Sequence, residues 1–118
     1  MKVLSLLSVT VLLAAIACRS AGEEKYKMTD AQLGLTAEQA RGRQVFNARC
    51  LRCHESYTSD KRQGFPLKGL YSRPVMPSGT PLNDECVAEV IVNGKRMMPG
   101  TQVNDADLKA LIAYLKTL

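Results

Sequence analysis

An all-α fold is what the sequence predicts, on three observations. Three segments each open on a helix-capping residue and continue with apolar residues at helical spacing. No stretch between turn signals alternates apolar and polar residues long enough to argue for a sheet. The 28 residues from Glu55 to Leu82, rich in Gly, Pro and Ser, form a loop of a length that compact domains rarely carry unless it wraps something.

In chain order, Met1 and Lys2 precede an apolar run from Val3 to Ala17. At about 15 residues it is shorter than the roughly 20 that a membrane-crossing helix needs, so residues 1–17 read as a signal peptide. Ala15-Ile16-Ala17-Cys18 resembles the lipobox of bacterial lipoproteins, with Ala15 where Leu is commoner. That resemblance implies lipidation of Cys18 as the mature N-terminus, and cleavage by ordinary signal peptidase at the same Ala-x-Ala is the alternative. Residues 18–35 are polar and lack a sustained apolar period, which predicts a flexible tether spanning about 20 to 25 Å, unless Tyr26 and Met28 pack on the domain.

The folded domain is expected over 36–118. Its 83 residues are few for a hydrophobic core to stabilise alone, so something further should staple it. Thr36-Ala37-Glu38-Gln39 is a capping box, and no Pro follows before Pro66, which predicts a helix from about Ala37 to about Cys53. Asn83 caps a second helix, about Asp84 to Asn93, with Val87, Val90 and Ile91 on one face and Gly94 as its stop. Asn104 caps a third, with Leu108, Leu111, Ile112, Leu115 and Leu118 on one stripe, running to the C-terminus.

Residues 1–17 contain one charge, Lys2, so the remaining 101 residues carry 15 basic and 11 acidic groups. This basicity is mild and scattered, and no nucleic-acid module or aromatic-interleaved basic stripe accompanies it, which argues against nucleic acid as a partner. It leaves an acidic protein partner, an anionic lipid surface, or simply a solvated exterior.

Cys50-Leu51-Arg52-Cys53-His54 holds the chain's only histidine in the C-x-x-C-H spacing of covalent haem c attachment. On a continuing helix, positions i, i+3 and i+4 put both sulfurs and the imidazole on one face, as two thioethers and a proximal nitrogen on iron require. A zinc site would need a fourth ligand from Cys86 or Cys18, and a thioredoxin-like pair would need βαβ patterning, which is absent. A second axial ligand must be a Met, since no other His exists; Met28, Met76, Met97 and Met98 are available. Met98 is favoured, because it follows the second helix in a turn stiffened by Pro99, with Met76 before Pro77 next and Met97 if the turn registers one residue earlier. Cys86, left over on the second helix, is expected to be a small buried hydrophobe, the alternative being an intermolecular disulfide.

With these residues the stretch from Thr36 to Leu118 resembles a class I cytochrome c, a mono-haem fold of three or more short helices wrapped around one covalent haem c. Gly42-Arg43-Gln44-Val45-Phe46-Asn47-Ala48-Arg49-Cys50 is similar to that family's first helix, and Leu111, Tyr114 and Leu115 to its partner on the last. The resemblance implies that the two helices cross at Gly42 and Phe46. Gly64-Phe65-Pro66-Leu67-Lys68-Gly69-Leu70-Tyr71-Ser72-Arg73 is similar to the family's loop in which a Pro carbonyl receives the proximal imidazole N–H; here Phe65 stands at the usual Pro position, so the carbonyl is that of Phe65 or Pro66. The same resemblance implies that Leu67 and Arg73 contact haem, Arg73 at a propionate, and Asn93-Gly94-Lys95-Arg96-Met97-Met98-Pro99 again selects Met98. A porphyrin would supply the flat apolar surface that a chain with no Trp and two Phe lacks.

The function expected is one-electron transfer between redox proteins, not enzymatic turnover, in the periplasm or on the outer face of the cytoplasmic membrane, lipid-anchored through Cys18. Arg49, Arg52, Lys68, Lys95 and Arg96 flank the two haem-contacting segments and are expected to steer a partner with an acidic docking face. The alternatives are a haem-based gas sensor with a displaceable Met and a fixed subunit of a larger redox complex.

Overall fold

A computed structural model describes residues 21–118; the expected signal peptide and Cys18 lie outside the described residues. The domain is built on α1 (Ala37–Arg49), α2 (Asp84–Asn93) and α3 (Asp105–Leu115), with a 3-10 turn at Leu70–Ser72 inside the long loop. All three helices start where their caps predict. Thr36 Oγ1 accepts from the Gln39 N–H at 3.2 Å while Gln39 Oε1 receives the Thr36 N–H at 2.9 Å, and Asn83 and Asn104 accept from Cys86 and Asp107, both at 2.8 Å. Each such cap is worth about 1 kcal/mol.

Only Gly42 and Phe46 of α1 are buried, a stripe two residues wide, so the helix depends on what it packs against. That partner is α3. A Cβ at Gly42 would lie 1.9 Å from the Ala110 carbonyl oxygen and 2.8 Å from Tyr114 Cβ, so the two backbones touch where a side chain would hold them apart. One turn on, the fully buried Phe46 ring lies 5.5 Å from the Tyr114 ring at 58°. Arg41–Asp107 and Glu38–Lys109 ion pairs edge this crossing, but exposed pairs contribute at most about 1 kcal/mol each, so packing decides the geometry. The crossing at Gly42 and Phe46 is the one the family resemblance implies.

The ends of the helices depart from expectation for local reasons. Helix α1 stops at Arg49 rather than near Cys53, because the Phe46 carbonyl is shared between the Cys50 and Leu51 N–H groups at 2.8 and 3.0 Å. Helix α3 stops at Leu115 rather than at the C-terminus: the Thr117 N–H and hydroxyl both turn back onto the Tyr114 carbonyl, and the Leu118 carbonyl instead receives the Gly69 N–H at 2.7 Å. The C-terminus thereby ties down the long loop. An expectation of helices and loops alone is also amended by a two-residue antiparallel ribbon, β1 (Gly94–Lys95) with β2 (Met98–Pro99), pairing Gly94 with Pro99 and Lys95 with Met98. A Cβ at Gly94, whose φ is +76°, would meet the Met98 carbonyl oxygen at 2.4 Å.

Residues 21–35 are not the free tether that their polarity predicts. Residues 21–25 are helical, and the Tyr26 ring stands edge-on to Tyr57 at 5.0 Å, with its hydroxyl in a part-buried bond to Glu55. Arg43 on α1 donates to the Met28 carbonyl and to Asp30, each at 2.9 Å. Leu33 and Leu35 also pack against the core, so Tyr26, these two leucines and Arg43 together dock a segment whose composition alone reads as solvated.

The core joins Phe46, Leu111, Ile112, Tyr114 and Leu115 to Val87 and Ile91 of α2, with Tyr57 and Met76 contributed by the long loop. Replacing Gly42 by Ala is expected to wedge α1 from α3 and cost about 2 to 3 kcal/mol of stability, read by denaturant unfolding of the haem-loaded protein.

Candidate cofactor site

The C-x-x-C-H segment leaves α1 as one further turn. The Cys50 carbonyl accepts the N–H groups of both Cys53 and His54 at 3.0 Å, so the i, i+3, i+4 relation survives although the regular helix has ended. Cys50, Cys53 and Cys86 are free thiols, and Cys53 Sγ points to Gln63 Oε1 at 3.2 Å. Burial, aided by Cys53 and opposed by Arg49, pushes the Cys50 thiol up to about 11. Among the described residues no three His, Cys, Asp or Glu side chains gather as metal ligands; of the two cysteines that could complete a zinc set, Cys86 is half-buried on α2 and Cys18 lies outside the described residues.

The His54 ring is held by two successive residues of the long loop, Gly64 and Phe65. Its Nδ1 lies 2.7 Å from the Phe65 carbonyl oxygen, which settles between Phe65 and Pro66 in favour of Phe65. A carbonyl only accepts, so Nδ1 carries the proton and the Nε2 lone pair is left free for a metal. A Cβ at the preceding residue, Gly64, would lie 2.3 to 2.8 Å from three ring atoms, so only glycine lets the loop pass this close. The loop is closed around the ring by Gly64 N–H to the Cys53 carbonyl and Leu67 N–H to the Glu55 carbonyl, both 2.8 Å.

Glu55 is the buried charge of the site, 7 % exposed, bonded by Tyr26 and Arg62. Burial pushes its carboxyl up, but the bonds from Tyr26 and Arg62 outweigh that and hold it below the usual carboxylate range. Arg62 also donates to the Leu51 carbonyl at 3.1 Å, so this one arginine spans from the loop to the Cys50–His54 turn. Neither Glu55 nor Tyr26 was legible as part of the site. An acidic residue directly after the histidine and a lone aromatic in a polar stretch were the available signals.

Met98 lies on β2, half-buried, whereas its neighbour Met97, at the turn of the ribbon, is 99 % exposed. The turn is shaped by Arg96 at φ +56° and fastened to α2 by the Thr101 N–H to the Ile91 carbonyl at 2.8 Å. Lys95 reaches the long loop at Thr80, 2.9 Å away. Met76 is spent in the core at 7 % exposure. Leu67 is half-buried against the core cluster, and Arg73 is exposed, its guanidinium 3.5 Å from the Lys68 carbonyl. The residues fit a covalent haem: two thiols outside any disulfide on one turn, an imidazole whose Nε2 the Phe65 bond leaves unused, and a glycine against the ring.

Comparison with known proteins agrees with this chemistry. Residues 37–115 match the family model described as cytochrome C oxidase, cbb3-type, subunit III. The chain is 31% identical over 96 residues to cytochrome c of Euglena viridis, an alignment covering 66% of this chain and 94% of that protein. It is 30% identical over 94 residues to cytochrome c2 iso-1 of Magnetospirillum molischianum, covering 63% and 93%.

Replacing Gly64 by Ala should force the imidazole or the loop to move and cost about 1 to 3 kcal/mol, seen as a lowered melting temperature of the haem-loaded protein.

Proposed function

This chain belongs to the cytochrome c family, and on that premise we propose that it is an exported, lipid-anchored one-electron carrier whose haem iron is held by His54 and Met98. Haem c is attached covalently through Cys50 and Cys53, and electron transfer is the work of such a c-type haem protein. When bound, the haem supplies the change between Fe(II) and Fe(III). The chain's own residues decide how that change is used.

One observation carries the reading: the bond from His54 Nδ1–H to the Phe65 carbonyl, with Gly64 against the ring. It fixes the tautomer and the ring plane, so Nε2 is presented without reorganisation whichever charge the iron carries. Met98 is the sixth ligand on this reading, because the ribbon turns Met97 outward and keeps Met98 half-buried, while Met76 is committed to the core. A thioether favours the reduced iron and so raises the potential. Leu67 contributes apolar surface to the haem and Arg73 compensates a propionate. Arg49, Arg52, Lys68, Lys95 and Arg96, all exposed, steer an acidic redox partner.

Export and anchoring rest on the Val3–Ala17 run and Cys18. With residues 21–35 docked, the three residue steps from Cys18 to Ala21 span at most about 11 Å, so a lipid on Cys18 would keep the domain at the membrane surface of the periplasm instead of letting it swing. The description of the matching family favours a second reading, a fixed electron-transfer subunit of a larger complex, and co-purification after mild solubilisation separates it from a free shuttle.

Met98→Ala should lower the reduction potential and admit carbon monoxide to the reduced iron, while Met97→Ala should do neither. Prompt carbon monoxide binding by the unaltered protein would instead indicate a gas sensor. Cys18→Ser should release the protein from membranes with its haem content unchanged, and retention on the membrane would refute lipidation.

A further inference from the structure

A tyrosine in the N-terminal segment sits where it can control the proximal histidine. The Tyr26 hydroxyl donates to the Glu55 carboxylate and accepts the Ser56 N–H at 3.0 Å, so it touches both residues that follow His54. Its ring edge is packed on Tyr57. Glu55 in turn receives Arg62, which grips the Leu51 carbonyl, and through its own carbonyl it closes the base of the loop at Leu67. Within that closed loop lie Gly64 and Phe65, the two residues that hold the His54 ring. The strap that delivers Tyr26 is itself fastened to α1 by Arg43 through Met28 and Asp30.

We infer that Tyr26 is a positioning residue for His54: it pins the 22–30 strap to the 55–67 loop and thereby holds the Phe65 carbonyl on the imidazole. This rests on His54 being the iron ligand. The Tyr26 hydroxyl bonds Glu55 and Ser56, not the imidazole itself. It acts by keeping a buried carboxylate and a backbone N–H satisfied, because an unpartnered polar group in that position would draw water and loosen the loop. The N-terminal segment, polar in composition, is thus a working part of the haem site.

The chain's single histidine makes the test direct, since histidine labelled with nitrogen-15 gives one imidazole. In the reduced, haem-loaded protein a ligating His54 shows ring protons displaced by the porphyrin ring current, and the exchange of its Nδ1 proton with solvent reads the bond to Phe65. Tyr26→Phe, which removes both hydroxyl bonds, should speed that exchange by at least about fivefold, the effect of a single hydrogen bond of ordinary net strength, and Tyr26→Ala by more, with the Leu111 amide on α3 unchanged. Unchanged Nδ1 exchange in both variants overturns the inference. So does an equal acceleration at Leu111, which would make Tyr26 an ordinary stabilising contact. Absence of the displaced ring signals in the unaltered protein overturns the inference together with His54 ligation, and is distinguishable from the other two results.

Discussion

The close approach of α1 to α3 at Gly42 is the constraint from which the rest follows. A helix with only Gly42 and Phe46 buried has no orientation of its own. Contact with the Ala110 carbonyl and the Tyr114 ring gives it one, and so decides where its C-terminal end delivers Cys50. Everything chemical is measured from there: Cys53 and His54 hang from the Cys50 carbonyl as a single turn. The helix crossing thus places the covalent attachment point, and a loss of packing at residue 42 would be felt at His54 a dozen residues later.

From that point the site is assembled by hydrogen bonds more than by apolar contact. The long loop contains only a three-residue 3-10 turn and one isolated bridge, Val75 with Pro81. It is held by discrete ties: Leu67 to Glu55, Gly64 to Cys53, Gly69 to the C-terminal residue, Lys95 to Thr80. Tyr57 and Met76 pin it from within the core. Such a loop suits a chain whose missing apolar surface is supplied by a cofactor, because its backbone needs are met by specific partners. The buried Glu55 is tolerated on the same terms, its charge satisfied by Tyr26 and Arg62.

Local chemistry was legible in the sequence; long-range pairing was not. Thr36, Asn83 and Asn104 cap helices because a cap involves residues within one turn, and the C-x-x-C-H spacing defines its own geometry for the same reason. The helix starts and the single turn from Cys50 to His54 were therefore readable, as was the Gly42–Phe46 crossing through family resemblance. The end of α1 was missed by four residues, since a shared carbonyl at Phe46 leaves no compositional mark. The docking of 21–35 was legible only as the alternative to a free tether, because its hold depends on Glu55 and Arg43, 29 and 15 residues away from Tyr26 and Met28. Likewise the choice between Phe65 and Pro66 turned on which carbonyl the loop aims at His54, a matter of ring position that no one-residue motif shift reveals.

The central claim is a closed, six-coordinate haem built for one-electron exchange. A potentiometric titration of the haem-loaded protein, followed by visible spectra with carbon monoxide added at the reduced end, tests it most directly. One reversible one-electron step at clearly positive potential, with spectra unmoved by carbon monoxide, is the predicted result. A low potential with immediate carbon monoxide binding would contradict it, because the iron would then have an open position where the account places a thioether.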